Sequence, residues 1–459
     1  VTHEPSLHEP SLRERDAAAI WHPATHFADL ERLPPLPIVA AQGVWLRDAT
    51  GREILDGIGS WWTSVHGHCH PHIAAAIARQ AATLDHVMFA GFTHEPAVAL
   101  AERLLALAPR EPGQPDASAY GKVFFSDCGS ASIEVALKLA FQSRLQRGQP
   151  HKRRFATLAN SYHGETLGAL AVCGSATWRE PFGPLLREAL VLPCPALSEH
   201  RHAWLDDPDA GAAAPETARA IALLEAHADE LAALIVEPII QCAGKMRMPG
   251  VGYLRSIAQA CRRLDIQLIA DEIAVAFGRT GRMFACEWAE LAPELVCLSK
   301  GLSGGTLPLA ATLIRRGFEH DFAGEPSRSF MHSHSFTANP IACAAGLASL
   351  ELFEREAVLA RATSTIARLG TLAAELAAGC DAVLAHRQAG MVVAFDLDAR
   401  RGPSDGRLSL ALRSAALERG VLVRPLHDTL YWMPALSIAA PELERLAEVS
   451  AAVVDEVLG

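Results

Sequence analysis

Between Lys122 and Ile314 short apolar or β-branched runs alternate with stretches in which apolar side chains recur every three to four positions. The runs lie at 123–126, 154–159, 233–237, 267–270, 295–298 and 310–314, and several are apolar throughout. A strand that is apolar at every position must be buried on both faces, and helix-period stretches between such strands supply the cover. The pattern therefore predicts an α/β fold, a largely parallel central sheet with helices on both faces. At 109–120 and 206–215 Pro, Gly, Asp and Ala replace the period, which predicts loops. After Asn339 and Pro340 a helix-forming stretch leads into an Ala-, Leu- and Glu-rich third with strand-like runs at 391–395 and 421–424. That third reads as a smaller α+β domain. Residues 44–47 and 53–56 suggest a hairpin that packs beside it. The expected division is a mobile tail over 1–18, an N-terminal segment over 19–66 packing with the small domain, a large domain over 67–340 and a small domain over 341–459.

Length and charge narrow the classes. A chain of 459 residues exceeds one hydrophobic core, so two or three packed units are expected. The formal net charge of −11 argues against nucleic acid or an anionic membrane as partner, since both reward clustered Lys and Arg. The local exception, Lys152, Arg153 and Arg154, follows a helical stretch and reads as cations at the negative end of a helix dipole. Nowhere do about 18 uncharged apolar residues run together, so no membrane span is expected. Ten cysteines without a CxxC pair are unlike a secreted disulfide framework and fit a reducing cytoplasm. A tandem HEPSL repeat at residues 3–12 contains no apolar stretch of leader length.

Four strand ends carry candidate chemistry. Lys300 follows the run 295–299 and precedes a glycine-rich turn, a rigid, partly desolvated position of the kind an amine nucleophile requires. Alone it reads more readily as a surface lysine in a glycine-rich turn. Asp271 ends the run 266–270, and a carboxylate there can keep a pyridine nitrogen protonated; its ordinary reading is a turn or helix cap. Gly129 and Ser130 open a helix whose apolar positions Ile133, Leu137, Ala140 and Phe141 share a face, so they suit a phosphate at the positive helix end, or a simple cap. Tyr162, in Tyr162-His163-Gly164, offers a ring that can stack on a planar group or pack in a core. Four such signals at one sheet edge are stronger than any of them alone.

The segments SDCGSASIEVALKLA, NSYHGETLGALAVC, IVEPIIQCAGKM, DEIAVAFGRTGRMFACE and LSKGLSGGTLPLA, in this order, resemble the class III aminotransferases of the pyridoxal phosphate (PLP) dependent fold type I. The resemblance implies that Lys300 carries PLP covalently, that Asp271 holds its ring nitrogen, that Gly129 and Ser130 bind its phosphate and that Tyr162 stacks on its ring. It also implies that Ser333, His334 and Ser335 reach the phosphate in a partner subunit, hence a homodimer with composite active sites. Within the family the chain is most similar to the biotin-pathway members, which aminate 8-amino-7-oxononanoate to 7,8-diaminononanoate, usually with S-adenosylmethionine as donor. The markers are Ile20-Trp21-His22-Pro23, Ser60-Trp61-Trp62, Met283 to Glu287 and Val423-Arg424-Pro425. Such a keto-acid needs an apolar channel, for which Trp61 and Trp62 are candidates, and a cation for its far carboxylate, for which Arg424 is the candidate. Tyr162, Lys300 and Ser333 complete the expected substrate contacts. Ala24, Glu165, Leu426 and Ser333-His334-Ser335 depart from the family pattern, which leaves lysine or another amine open as donor. Another keto-acid or ω-amino-acid substrate is the main alternative.

Two readings from other classes compete. His66, His68, Cys69, His70 and His72 crowd seven residues and could form a metal site, although alternation sends extended ligands to opposite faces, and no metal is expected. A non-catalytic homologue that binds PLP structurally is the other, and the presence of both Lys300 and Asp271 disfavours it.

Overall fold

The computed structural model describes residues 11–111, 114–196 and 202–459. Seven strands form the central sheet: β1 (Tyr120–Ser126), β2 (Arg154–Leu158), β3 (Leu190–Leu192), β4 (Leu231–Val236), β5 (Gln267–Asp271), β6 (Leu295–Leu298) and β7 (Ala310–Arg315). Their spatial order is β1-β7-β6-β5-β4-β2-β3. Every neighbouring pair is parallel except the two that involve β7. The apolar runs are buried on both sides as expected. On one face Ile235, Ile269, Leu295 and Cys297 meet Ile133, Leu137 and Ala140 of the helix Gly129–Gln146. On the other, Leu234, Leu268, Ala270, Val296 and Leu298 join the main core. A period of two with apolar residues at every position leaves no solvated face.

The expected hairpin forms, with Trp45–Asp48 antiparallel to Glu53–Asp56, and Ile38–Gln42 adds a third strand. Its fourth strand comes from the far end of the chain: Val421–Leu422 pairs parallel with Leu55 and Asp56. A second, antiparallel sheet joins Val383–Ala389, Val392–Leu397 and Thr429–Trp432.

Some expectations need correction. Residues 109–120 are not a plain loop, because Arg110–Glu111 pairs with Gln114–Ser118 as a short hairpin. The strand Leu190–Leu192 was not legible, being three residues long with its middle side chain exposed at the sheet edge. Within the expected tail, Leu12–Ala19 is a helix closed by a Ser11–Glu14 capping box and buries no side chain, so local hydrogen bonds alone define it; the rest of the HEPSL repeat lies outside the described residues. Lys152 does not cap a helix. It is buried, and its Nζ donates to the carbonyls of Ala228 and Asp265, each at 2.9 Å.

Candidate active site

Strands β1, β2, β4, β5 and β6 point the same way, so the residues that follow their last positions gather at one edge of the sheet. Open α/β sheets place ligands at that edge. A cleft of about 180 Å³ lies there, and Trp62, Ser130, Tyr162, Glu237, Asp271 and Lys300 are among its lining residues.

Lys300 begins a short 3-10 turn at the end of β6 with φ 44°, in the left-handed region that side chains with a Cβ avoid. The buried strand before it and the turn behind it, where Ser299 Oγ donates to the Leu309 carbonyl at 2.8 Å, hold that conformation. Its Nζ sits 5.0 Å from the centre of the Trp62 ring. Burial pulls the lysine pKa below its ordinary value, partly countered by the charge of Asp271. Desolvation therefore favours the neutral amine, the nucleophilic form.

Asp271 ends β5 and is buried. Its Oδ2 lies 2.7 Å from His163 Nδ1, and its Oδ1 accepts the Ile273 N–H at 3.1 Å. His163 is itself buried, with Nε2 3.5 Å from Thr157 Oγ1, so a hydrogen-bonded chain leads from β2 to the carboxylate and fixes its orientation. Glu237 follows β4 and accepts the N–H groups of Tyr162 at 3.0 Å and Cys242 at 3.1 Å. Burial first, and the Asp271 charge second, push the Glu237 pKa well above the carboxylate range. A neutral Glu237 keeps a second negative charge out of the cleft.

The third wall is the start of the helix Gly129–Gln146. Its N-cap residue Cys128 makes no side-chain cap hydrogen bond, so the first-turn N–H groups remain open toward the cleft. Space here is set by glycines. A Cβ on Gly164, whose φ is +128°, would meet Ser130 Oγ at 2.1 Å, and one on Gly129 would press on Ile273 at 3.1 Å. Ser130 Oγ accepts the Glu165 N–H at 3.2 Å, and the Tyr162 hydroxyl donates to Glu165 at 2.9 Å, which steadies the ring over the cleft. An amine, a carboxylate opposite it and a helix N-terminus in one small cavity match the aldehyde, ring nitrogen and phosphate of PLP.

The sequence profile of the family Aminotransferase class-III matches residues 27–454. The chain is a class-III aminotransferase. Its family depends on PLP, which is its cofactor, and the fold is that of fold type I. Among its relatives, this aminotransferase is 41% identical over 442 residues to the adenosylmethionine-8-amino-7-oxononanoate aminotransferase of Synechococcus elongatus, covering 95% of this chain and 99% of the relative. It is 38% identical over 451 residues to the protein of the same name from Geobacter sulfurreducens, covering 97% of each. The crystal structure of the enzyme of that name from Methanocaldococcus jannaschii superimposes with a TM-score of 0.89 at 31% identity, over 97% of this chain and 99% of that one. An omega transaminase of Pseudomonas jessenii in complex with PMP gives a TM-score of 0.85 at 27% identity, over 97% and 98%.

The expected residues of this aminotransferase divide into three sets. Gly129, Ser130, Tyr162, Asp271, Lys300 and Trp62 line the cleft together. Trp61 and Arg424 form a second pair outside the cleft lining, with the guanidinium carbon 3.7 Å from the Trp61 ring centre. Gly59, Ser60, Trp61 and Trp62 all have positive φ, and this sharp turn sends the adjacent tryptophans apart, Trp62 into the interior and Trp61 to the surface. Ser333, His334 and Ser335 do not line the cleft; His334 Nδ1 lies 3.0 Å from Asp127 Oδ2 in the same chain. The histidines proposed as a rival metal site separate, His66 to Ser349, His68 to Asp56, His70 to Glu356 and His72 to Glu351. Among the described residues no group of three or more His, Cys, Asp or Glu is arranged to hold a metal ion.

His163 and Glu237 were missed as site residues. Both had a signal: His163 adjoins Tyr162, and Glu237 ends an apolar strand just as Asp271 does. Cys242 reaches the cleft through an irregular segment, with no periodicity to mark it.

Proposed function

We propose that this aminotransferase transfers an amino group from S-adenosylmethionine to 8-amino-7-oxononanoate, giving 7,8-diaminononanoate for biotin synthesis. The observation that carries the reading is Arg424, a desolvated cation stacked on Trp61 near the cleft that Trp62 closes. An aliphatic keto-acid with a remote carboxylate needs such a cation at the end of an aromatic wall. The names of the relatives described above support the same acceptor.

PLP, when bound, supplies an electrophilic carbon and an electron-withdrawing ring. In our reading Lys300 Nζ would hold PLP covalently and, as a free amine beside the substrate, would serve as the base and acid that carries the proton leaving the donor carbon. Asp271, oriented by His163, keeps the ring nitrogen protonated. Tyr162 would stack on the ring, and Gly129 and Ser130 would hold the phosphate at the helix N-terminus. Trp62 covers Lys300 and limits water.

We further propose a homodimer with composite sites. Met88, Phe92, Met331 and Phe336 are exposed by 56%, 56%, 85% and 61%, an apolar set that suits a second copy of the chain. Ser333, His334 and Ser335 belong to the same segment and would complete the phosphate site of the neighbour. No helix among the described residues is long and apolar enough to cross a membrane. The ten cysteines are free, which suits the cytoplasm as its place.

The test offers the holoenzyme 8-amino-7-oxononanoate with S-adenosylmethionine, and in parallel with lysine, and measures 7,8-diaminononanoate by mass spectrometry. Product with S-adenosylmethionine and none from Lys300→Ala is the expected result. Product with lysine alone would replace the donor, and no product with either would remove the acceptor assignment.

A further inference from the structure

Trp61 and Arg424 meet because two distant segments leave one sheet side by side. Leu422 pairs parallel with Asp56, and the Gly57 N–H donates to the Leu422 carbonyl at 3.1 Å. From that pair one segment runs on to Arg424 and the other to Trp61, and the second path is strained. Gly59, Ser60, Trp61 and Trp62 have φ of 55°, 44°, 64° and 74°, so three residues with a Cβ follow one another in the left-handed region. Such a run persists only where its surroundings over-determine it.

The buried Asp56 carboxylate supplies that restraint. Its Oδ1 accepts the Ile58 N–H at 3.2 Å, and its Oδ2 accepts the Ser60 N–H at 2.7 Å and the Ser60 hydroxyl at 2.9 Å. His68 Nε2 lies 2.9 Å from the same oxygen, and the His68 backbone is itself paired with Gly43. Trp62 has further supports, since its Nε1 donates to the Tyr431 hydroxyl at 3.0 Å and its carbonyl accepts from Arg279 at 3.3 Å. The Trp61 indole makes no hydrogen bond among the described residues and is 40% exposed, with Arg424 on its face.

We propose that Asp56 is a positioning residue for the substrate carboxylate, holding the turn that sets Trp61 on Arg424. Without it the turn relaxes, the Trp61 ring leaves the guanidinium, and the aromatic wall no longer ends at the cation. Lys300, Asp271 and the helix N-terminus stand on other elements and keep their places. The inference rests on the reading of Arg424 as the carboxylate site.

Steady-state kinetics with 8-amino-7-oxononanoate, together with the PLP affinity of each variant, test it. Asp56→Asn turns an amide toward the donors of the turn and is expected to raise KM about tenfold, with kcat and PLP affinity within about twofold of the wild type. Adding Ser60→Gly is expected to recover most of that loss, because glycine holds a positive φ without the carboxylate. His68→Leu removes one contact of Asp56 and is expected to raise KM about threefold; it replaces Asp56→Asn as the test if that variant does not fold. The proposal fails if KM is unchanged, if kcat, KM and PLP affinity deteriorate together, or if Ser60→Gly recovers nothing. If the wild type does not turn over this keto-acid, the acceptor reading fails and tryptophan fluorescence of the PLP-loaded enzyme decides the role of Asp56. Acrylamide is then expected to quench Asp56→Asn more than the wild type, with the difference absent in a Trp61→Phe background and removed by Ser60→Gly; equal quenching overturns the proposal.

Discussion

Asp271 shows how much chemistry one side chain draws from its place. On its own an aspartate after an apolar strand is a turn residue; here His163 Nδ1 at 2.7 Å and the Ile273 N–H at 3.1 Å fix both of its oxygens at the foot of the cleft. Asparagine in that position keeps the shape and removes the charge that would hold a ring nitrogen protonated. Asp271→Asn is therefore expected to lower kcat by about 100-fold or more with the circular dichroism spectrum unchanged; near-normal turnover would remove its role. Lys300, Asp271, Gly129, Ser130 and Tyr162 were all legible, because each stands at a strand end or a helix start where the pattern breaks. Glu237 carried the same signal as Asp271. Its separate condition, uncharged and bonded to two backbone N–H groups, depends on burial that no linear pattern records.

At the scale of elements, the cleft is held by side chains remote from it in sequence. Arg279 is fully buried, and its guanidinium donates to the carbonyls of Ser64 and Pro434 at 2.6 Å each and of Trp62 at 3.3 Å. It thereby ties the turn carrying Trp61 and Trp62 to the segment after Thr429–Trp432. Arg279→Met leaves these carbonyls unpaired, so a loss of about 3 kcal/mol is expected, measured as the shift of the urea midpoint. His66 sits in the same region, with Nε2 3.2 Å from Ser349 Oγ and its ring 5.0 Å from that of Phe353. Burial first, then the charge of His70, lower its pKa from 6.5 to about 4. The folded state thus resists a proton that the unfolded chain accepts. The resulting stability is fully present above pH 6.5 and is lost as pH falls toward about 4, a change on the order of 3 kcal/mol. Thermal unfolding of His66→Asn is expected to depend less on pH across that window than the wild type, and parallel profiles would exclude the linkage.

For the whole molecule, the outstanding surface feature is the exposed apolar set around Met331 and Phe336. Phe336→Asp is expected to shift light scattering from dimer to monomer and to abolish turnover together; an active monomer would show that each cleft is complete in one chain. The sequence by itself determined six of the seven strands of the central sheet, since strands apolar at every position can only be buried on both faces, and it put Lys300, Asp271, Gly129, Ser130 and Tyr162 forward as strand-end residues, since parallel strands deliver their ends to one edge. The tertiary structure alone decided what that edge contains beyond them. It closed the N-terminal hairpin with Val421–Leu422 from the far end of the chain, turned Trp61 and Trp62 in opposite directions through consecutive positive φ angles, and buried Glu237 beside the charge of Asp271. Burial, like-charge proximity and pairing between distant segments are properties of the packed chain, and periodicity along it cannot express them.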